Sequence, residues 1–294
     1  MAISTSASYN LKRNEIISEA LERVRMVGVG DEPTLAQLDS AIRKLNLILR
    51  EEDLAGTGNE KHLWALKTKH LFLVANQFSY TTSTADGLPD DILELVTAWF
   101  RDSAGDDTQV DIYSREAYET IVEKSEAADP TAIYLESARL LADQILHVNF
   151  APSSISTQSE VIGSDGKNYK CILDHTSATV SQPISGGSWR TYWQEGGTAG
   201  TAWVTATAYT HGESLRLTYK RPLFNFTSHT ENPDMPLGWD RYLVLRLAYD
   251  LAPSAGIALD ERQSIGRDYR TAMETIFPSR RAKTTTPHNK VIYY

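Results

Sequence analysis

The sequence predicts an α+β protein. Its expected core is mostly helical, with four main helices and a small β region, and a small all-β module interrupts it. Three observations carry this reading. Apolar residues recur at threes and fours towards both ends of the chain. Between those ends, short runs of β-formers alternate with turn residues. From Thr157 to Glu213, Ser, Thr and Gly make up 23 of 57 residues while leucine occurs once, at Leu173. The implied division is a discontinuous core (1–154 and 214–277), an inserted module (155–213) and an extended C-terminal segment (278–294).

Taken in order, Asn14 can cap a helix whose Ile16, Ile17, Ala20, Leu21 and Val24 lie close to one face. VGVGDEP (27–33) breaks it. Thr34 is placed to cap a second helix bearing Leu35, Leu38, Ala41, Ile42, Leu45, Ile48 and Leu49, which Gly56 and Gly58 end. Leu71 to Tyr80 reads as a strand, and Ile92 to Phe100 as another after the turn-like DGLPDD. Val110 to Tyr113 fits a short strand, and Ser114 can cap a helical turn through Tyr118. Ala132 to Leu135 follows the Asp129-Pro130 break as a strand, while 138–148 suits helix and strand equally. In the module, Trp189, Trp193 and Trp203 are three of the six tryptophans, an aromatic density that disordered segments lack. Turns are expected at Asp165-Gly166, Gly186-Gly187 and Gly196-Gly197. Leu215 to Tyr219 alternates as a strand. Residues 237–252 form an apolar helix stopped by Pro253 and Gly256. A last helix, about 258–277, sets Ile265, Tyr269, Ala272, Met273 and Ile276 on one face and ends at Pro278.

Composition excludes several classes. With 41% hydrophobic and 23% charged residues the chain reads as globular, neither disordered nor rod-like. No apolar run approaches the roughly eighteen residues of a membrane span, and MAISTSASYNLKRNE lacks the apolar centre of a signal peptide. A single cysteine, Cys171, excludes an internal disulfide and a Cys-rich zinc site. The net charge of -9 is opposite to that of a protein gripping nucleic acid by its phosphates. It is unevenly spread: Asp86 to Asp129 holds 13 acids against 3 bases, whereas Pro278 to Tyr294 carries Arg280, Arg281, Lys283 and Lys290 and no acid.

Catalytic patterns are not found. The G-x-S-x-G elbow, H-E-x-x-H and the P-loop are absent from the sequence. Cys171 and His175 would lie about 13 Å apart along a strand, which disfavours a thiol dyad. His62 and His70 lack a third zinc ligand nearby, and Asp106, Asp107 and Asp111 lack EF-hand register. No cofactor, metal or catalytic residue is expected, and the chain is not expected to be an enzyme.

Four segments carry a resemblance. They are ALERVRMVGVGDEPTLAQLDSAIRKLNLILREEDLAG (20–56), with its A-x-x-x-LN core at Ala41, Leu45 and Asn46; LPDDILELVTAWFRD with DIYSREAYETI (88–102, 111–121); SLRLTYKRPL (214–223); and PLGWDRYLVLRLAYDLAPSAGI (236–257). In this order they resemble the head-to-tail adaptors of short-tailed phages, of the packaged-DNA-stabilising and tail-tubular kind. The resemblance implies a virion protein at the head-to-tail junction, assembled in the host cytoplasm. It implies a ring of twelve copies on the tail side of the portal protein, with a tail nozzle or tube protein below and no membrane partner. DNA would pass through the ring without specific binding. It also implies a C-terminal arm reaching the portal, for which Arg280, Arg281, Lys283 and Lys290 supply charge and Tyr293 and Tyr294 an anchor. Asp90, Asp91, Glu94, Asp102, Asp106, Asp107 and Asp111 are candidates for a channel lining that repels phosphates; a solvated acidic surface serves them equally.

GKNYKCILDHTS (166–177), Pro183 and SWRTYW (188–193) resemble a small carbohydrate-binding module of the chitin-binding type. Tyr169, Trp189, Tyr192 and Trp193 are then candidates for stacking on glycan or contacting a tail fibre. The competing reading makes them the core of a small domain. A glycan-binding tail protein is therefore the alternative function, and a cell-wall hydrolase a third.

Overall fold

A computed structural model describes residues 11–55, 65–82, 88–124, 126–138, 140–228, 230–236 and 238–276. In chain order the elements are α1 (Arg13–Arg23), α2 (Leu35–Ala55), β1 (Leu66–Phe72), β2 (Ser79–Thr81), β3 (Glu94–Arg101), β4 (Asp107–Ile112), α3 (Arg115–Glu119), β5 (Glu126–Ala127), β6 (Ala132–Glu136), β7 (Ile145–Val148) and β8 (Phe150–Ala151). There follow β9 (Glu160–Ile162), β10 (Asn168–Cys171), β11 (His175–Thr176), α4 (Trp189–Tyr192), β12 (Trp193–Glu195), β13 (Thr201–Ala202), β14 (Ala208–Tyr209), β15 (Ser214–Lys220), α5 (Asp240–Leu251) and α6 (Leu259–Ile276). They fall into two compact units, Met1–Trp64 with Leu223–Tyr294, and Ala65–Pro222.

The first unit is helical. α5 is its hub, packing on α1, α2 and α6. Tyr242, Leu243, Val244, Leu245, Leu247, Ala248 and Leu251 are buried around its whole circumference, as a central helix requires. α1 presents one stripe, Ile16, Ile17, Ala20 and Leu21, and α2 another, Ala41, Leu45, Ile48 and Leu49. Thr34 caps α2 as expected. Its Oγ1 accepts from the Gln37 amide (3.4 Å) and Gln37 Oε1 accepts from the Thr34 amide (2.9 Å). α1 starts earlier than expected, with Lys12 and not Asn14 at the cap, because Glu15 accepts the Lys12 amide at 2.8 Å. Lys44 Nζ donates to the Asp250 carbonyl (2.7 Å) and to Ser254 Oγ (3.2 Å), a cation at the negative end of α5. Asn46 Oδ1 accepts from the Phe226 amide at 3.3 Å and fastens the returning chain to α2.

The second unit contains a seven-stranded sheet in the order β1-β15-β3-β4-β6-β7-β2. Every neighbouring pair is antiparallel except β4 and β6. Leu71, Phe100, Val110, Ile133, Leu146, Val148, Leu215 and Leu217 form the core on one face. The β3–β15 register carries a bulge. Thr218 faces Thr97 and Tyr219 faces Leu95, so Val96 has no partner. The extra residue returns Leu95 to the core and leaves Val96 46% exposed. Residues 155–213 build a four-stranded sheet, β12-β10-β9-β13, the pair β11–β14 and the short α4. Val161, Tyr169, Cys171, Trp193 and Tyr209 are their core.

The mostly helical core with a small β region is therefore corrected. The chain is a mixed α/β protein in which four long helices make one unit and the other rests on a seven-stranded sheet. The strands between 66 and 148 are short and interleaved with charge, as at Lys67, Lys69, Glu94 and Asp107, so each reads as an isolated fragment. What unites them is β15, which arrives after 155–213 and lies between β1 and β3. Two local expectations also change. The run 71–80 is the end of β1, a turn with Asn76 at φ 57, and β2. The ambiguous 138–148 is a 3-10 turn at Leu141–Asp143 followed by β7. The helix stops Gly56 and Gly58, His62, and the whole C-terminal segment 278–294 lie outside the described residues.

Candidate functional site

The candidate glycan residues divide by burial. Tyr169 and Trp193 are each 1% exposed. Trp193 donates from Nε1 to the Ser181 carbonyl at 2.8 Å, and Tyr169 donates its hydroxyl to Asp165 at 2.7 Å. Burial and that carboxylate together raise the Tyr169 pKa. Trp189 and Tyr192 are half-buried. The Trp189 ring meets Tyr169 edge-on at 5.5 Å and carries the Arg190 guanidinium 4.6 Å above it. Two of the four aromatics are thus hydrophobic core, and the surface left for a ligand is Trp189, Arg190 and Tyr192.

The separation expected for Cys171 and His175 is overturned. β10 ends at Cys171 and the chain bends through 172–174, which brings Sγ within 3.8 Å of Nδ1. The pair is still no nucleophile. Burial pushes the thiol up to about 12, so it is protonated at neutral pH. The His175 ring lies 4.3 Å from Tyr192 and edge-on to Trp193, and its Nδ1 also lies 2.9 Å from the Leu173 carbonyl. His175 is packed among the aromatic rings of Tyr192, Trp193 and Tyr209.

A polar junction forms where residues 170–211 meet the sheet. β1 is an edge strand, and Gln194 covers its outer side. The His70 amide donates to Oε1 (2.7 Å), and Nε2 donates to the His70 carbonyl (2.6 Å). One side-chain amide thus replaces a strand neighbour. Arg101 holds Asp107 by two parallel bonds, 2.8 and 2.9 Å, and donates a third to the Ile172 carbonyl at 2.9 Å. Arg216 reaches the same carboxylate at 2.9 Å. These bonds hold the Asp107 carboxyl below its usual range. His70 lies among them, with Nδ1 3.1 Å from Ser214 Oγ. Burial first, then Arg101 and Arg216, bring it down to about 4, so it is neutral. His211 closes the junction between Asp174 (2.6 Å) and the Asp102 carbonyl (3.0 Å). Nothing in the spacing announces Gln194 or His70, since they are 124 positions apart.

The acidic candidates do not share one place. Asp90, Asp91 and Glu94 stand at the start of β3, and Asp102, Asp106 and Asp107 at its other end, roughly 20–25 Å away for eight strand residues. Asp111 is exposed on β4. Burial raises the Asp91 pKa, but its bonds to Lys67 and Tyr219 outweigh that and hold it low. The Asp102 carboxylate accepts the Ala104 and Asp106 amides of its own turn, both at 2.9 Å. Asp90, Glu94, Asp106 and Asp111 are the exposed members.

One row resembles a catalytic relay. Ser79 Oγ is 3.2 Å from His147 Nδ1, and Glu136 Oε2 is 3.0 Å from its Nε2. Ser79, His147 and Tyr134 face one another in register across β2, β7 and β6. Strand pairing explains the row, and acyl transfer would also need donors aimed at a developing oxyanion. Among the described residues, no three His, Cys, Asp or Glu side chains converge as metal ligands. No helix of the described residues is long and apolar enough to cross a membrane. In comparison with known proteins, no family model and no curated protein matches the chain.

Proposed function

We propose that this chain is a structural adaptor of a short-tailed phage, forming a ring below the portal that joins head to tail and continues the DNA channel. One observation carries the reading: the four segments that resemble that family meet in pairs. Segments 20–56 and 236–257 supply α1, α2 and α5, which pack together. Segments 88–102 and 214–223 supply β3 and β15, which pair along their whole length. Residues far apart in sequence but similar to one family are thus packing partners, as expected of a single inherited core.

In this reading the basic segment 278–294 is the portal-binding arm. The exposed acids Asp90, Glu94, Asp106 and Asp111 discourage DNA from sticking. A tail tube or nozzle protein takes the lower face of a dodecamer, and a fibre docks on 155–213. Two facts weigh against glycan recognition as the main role, the burial of Tyr169 and of Trp193. The test is electron microscopy of the purified protein mixed with portal. Rings of fixed symmetry attached to the portal are expected, and their loss on deleting 279–294. Monomers that ignore the portal would overturn the reading.

A further inference from the structure

A groove in the helical unit matches the chemistry of the chain's own C-terminal segment. The cleft between α1, α5 and α6 holds about 720 Å³. Leu11, Val244 and Leu245 give it an apolar floor, and Glu19, Glu22, Asp240 and Asp268 are set around it. Asp268 is paired with Arg23. Glu19 has its pKa raised, by burial and then by Glu22, Asp240 and Glu15, so negative charge is crowded there, and acids outnumber the two lining bases, Arg23 and Arg241. A smaller hollow of about 110 Å³ shares Gly238 and Arg241 with this cleft. It runs to Thr271, Thr275 and Ile276, in the last turns of α6. The groove therefore begins where α6 ends.

From Ile276 back to Asp268 is roughly 12 Å along the helix, a distance that four extended residues span at about 3.3 Å each. Arg280 is the fourth residue after Ile276, and Arg281 and Lys283 follow at once. The segment that precedes Leu11 in sequence, residues 1–10, contains no Lys or Arg. We propose that the basic segment Pro278–Tyr294 folds back into this groove of its own chain, setting Arg280, Arg281 and Lys283 against Glu19, Glu22 and Asp240. The proposal stands apart from the adaptor reading. If both hold, portal and groove compete for one segment.

The test is zero-length carbodiimide coupling of the full chain, in an equal mixture of ¹⁵N-labelled and unlabelled protein, read by mass spectrometry. The expected result is Lys283 or Lys290 joined to Glu19, Glu22 or Asp240 within one isotopic species. Coupling should fall about fivefold in the double variant Glu19→Gln/Glu22→Gln and in about 0.5 M salt, which screens exposed charge. Mixed-isotope links would mean that a neighbouring copy supplies the segment and would overturn the proposal, as would links only to acids elsewhere. Hydrogen exchange gives an independent readout. Changing Arg280, Arg281, Lys283 and Lys290 to Glu should speed exchange in α1 and the start of α5, and unchanged rates would equally sink the idea. Rings on the portal despite such failure would leave the adaptor reading intact.

Discussion

Gly186 has no side chain because none fits: a Cβ there would overlap the Val180 carbonyl, and a main-chain atom cannot swing aside. Gly186→Ala is expected to cost about 1–3 kcal/mol, the usual range for forced overpacking, measured by urea unfolding with tryptophan fluorescence. His70 makes a different prediction. Its imidazole takes a proton near pH 6.5 when unfolded but only near 4 when folded. Its contribution is therefore complete above pH 6.5 and lost as the pH falls from 6.5 to 4, at most roughly 3 kcal/mol. His70→Gln should flatten the stability profile across that window. A profile as steep as before would refute the assignment. Asp91 and Asp107, whose pKa values are lowered, lose their contributions only below the ordinary carboxylate range. None of this is legible in one dimension. The sequence names a histidine, and only the convergence of β1, β3 and β15 sets two guanidiniums beside it.

Among elements, helices were the readable part. Their 3.6-residue period is sampled several times over a span such as Leu35–Ala55, and Thr34 with Gln37 marks its start. Strands of two to eight residues, broken by charge, sample a period of two too few times to declare a face, which is why 66–148 reads as fragments. The bulge at Val96 is worse still, since it reverses the alternation within β3. α5 was evident as apolar but not as the hub. Leu247→Ala is expected to cost about 2–5 kcal/mol, because the residue is wholly buried where helices meet. At the sheet edge, Gln194→Ala removes both bonds to His70. The expected outcome is faster hydrogen exchange of the His70 amide, with a loss near 1 kcal/mol. An amide as protected as before would show that Gln194 is not what covers the strand.

For the whole molecule the decisive quantity is charge. A chain of net charge -9, in which Asp107 alone holds both Arg101 and Arg216, offers phosphates little to hold. Duplex DNA is expected to bind negligibly even in about 50 mM salt, where a basic site would show its strongest affinity. Tight, salt-sensitive retention in a filter assay would contradict this. At this scale the composition spoke clearly about acidity and about the Ser/Thr/Gly-rich insertion. It was silent on where the acids lie, because their clustering in sequence dissolves once β3 carries them to opposite ends.

The position of β15 also sets a schedule for synthesis. β3 is complete at residue 101, but the strand that must sit between it and β1 starts at 214. At a translation rate of about 5–20 residues per second, the two edges wait on the order of ten seconds for their partner. During that time each offers an open row of amides and carbonyls to any strand nearby. A nascent chain of this protein is therefore most exposed to mispairing, and most in need of a chaperone, while the ribosome is making residues 102–213.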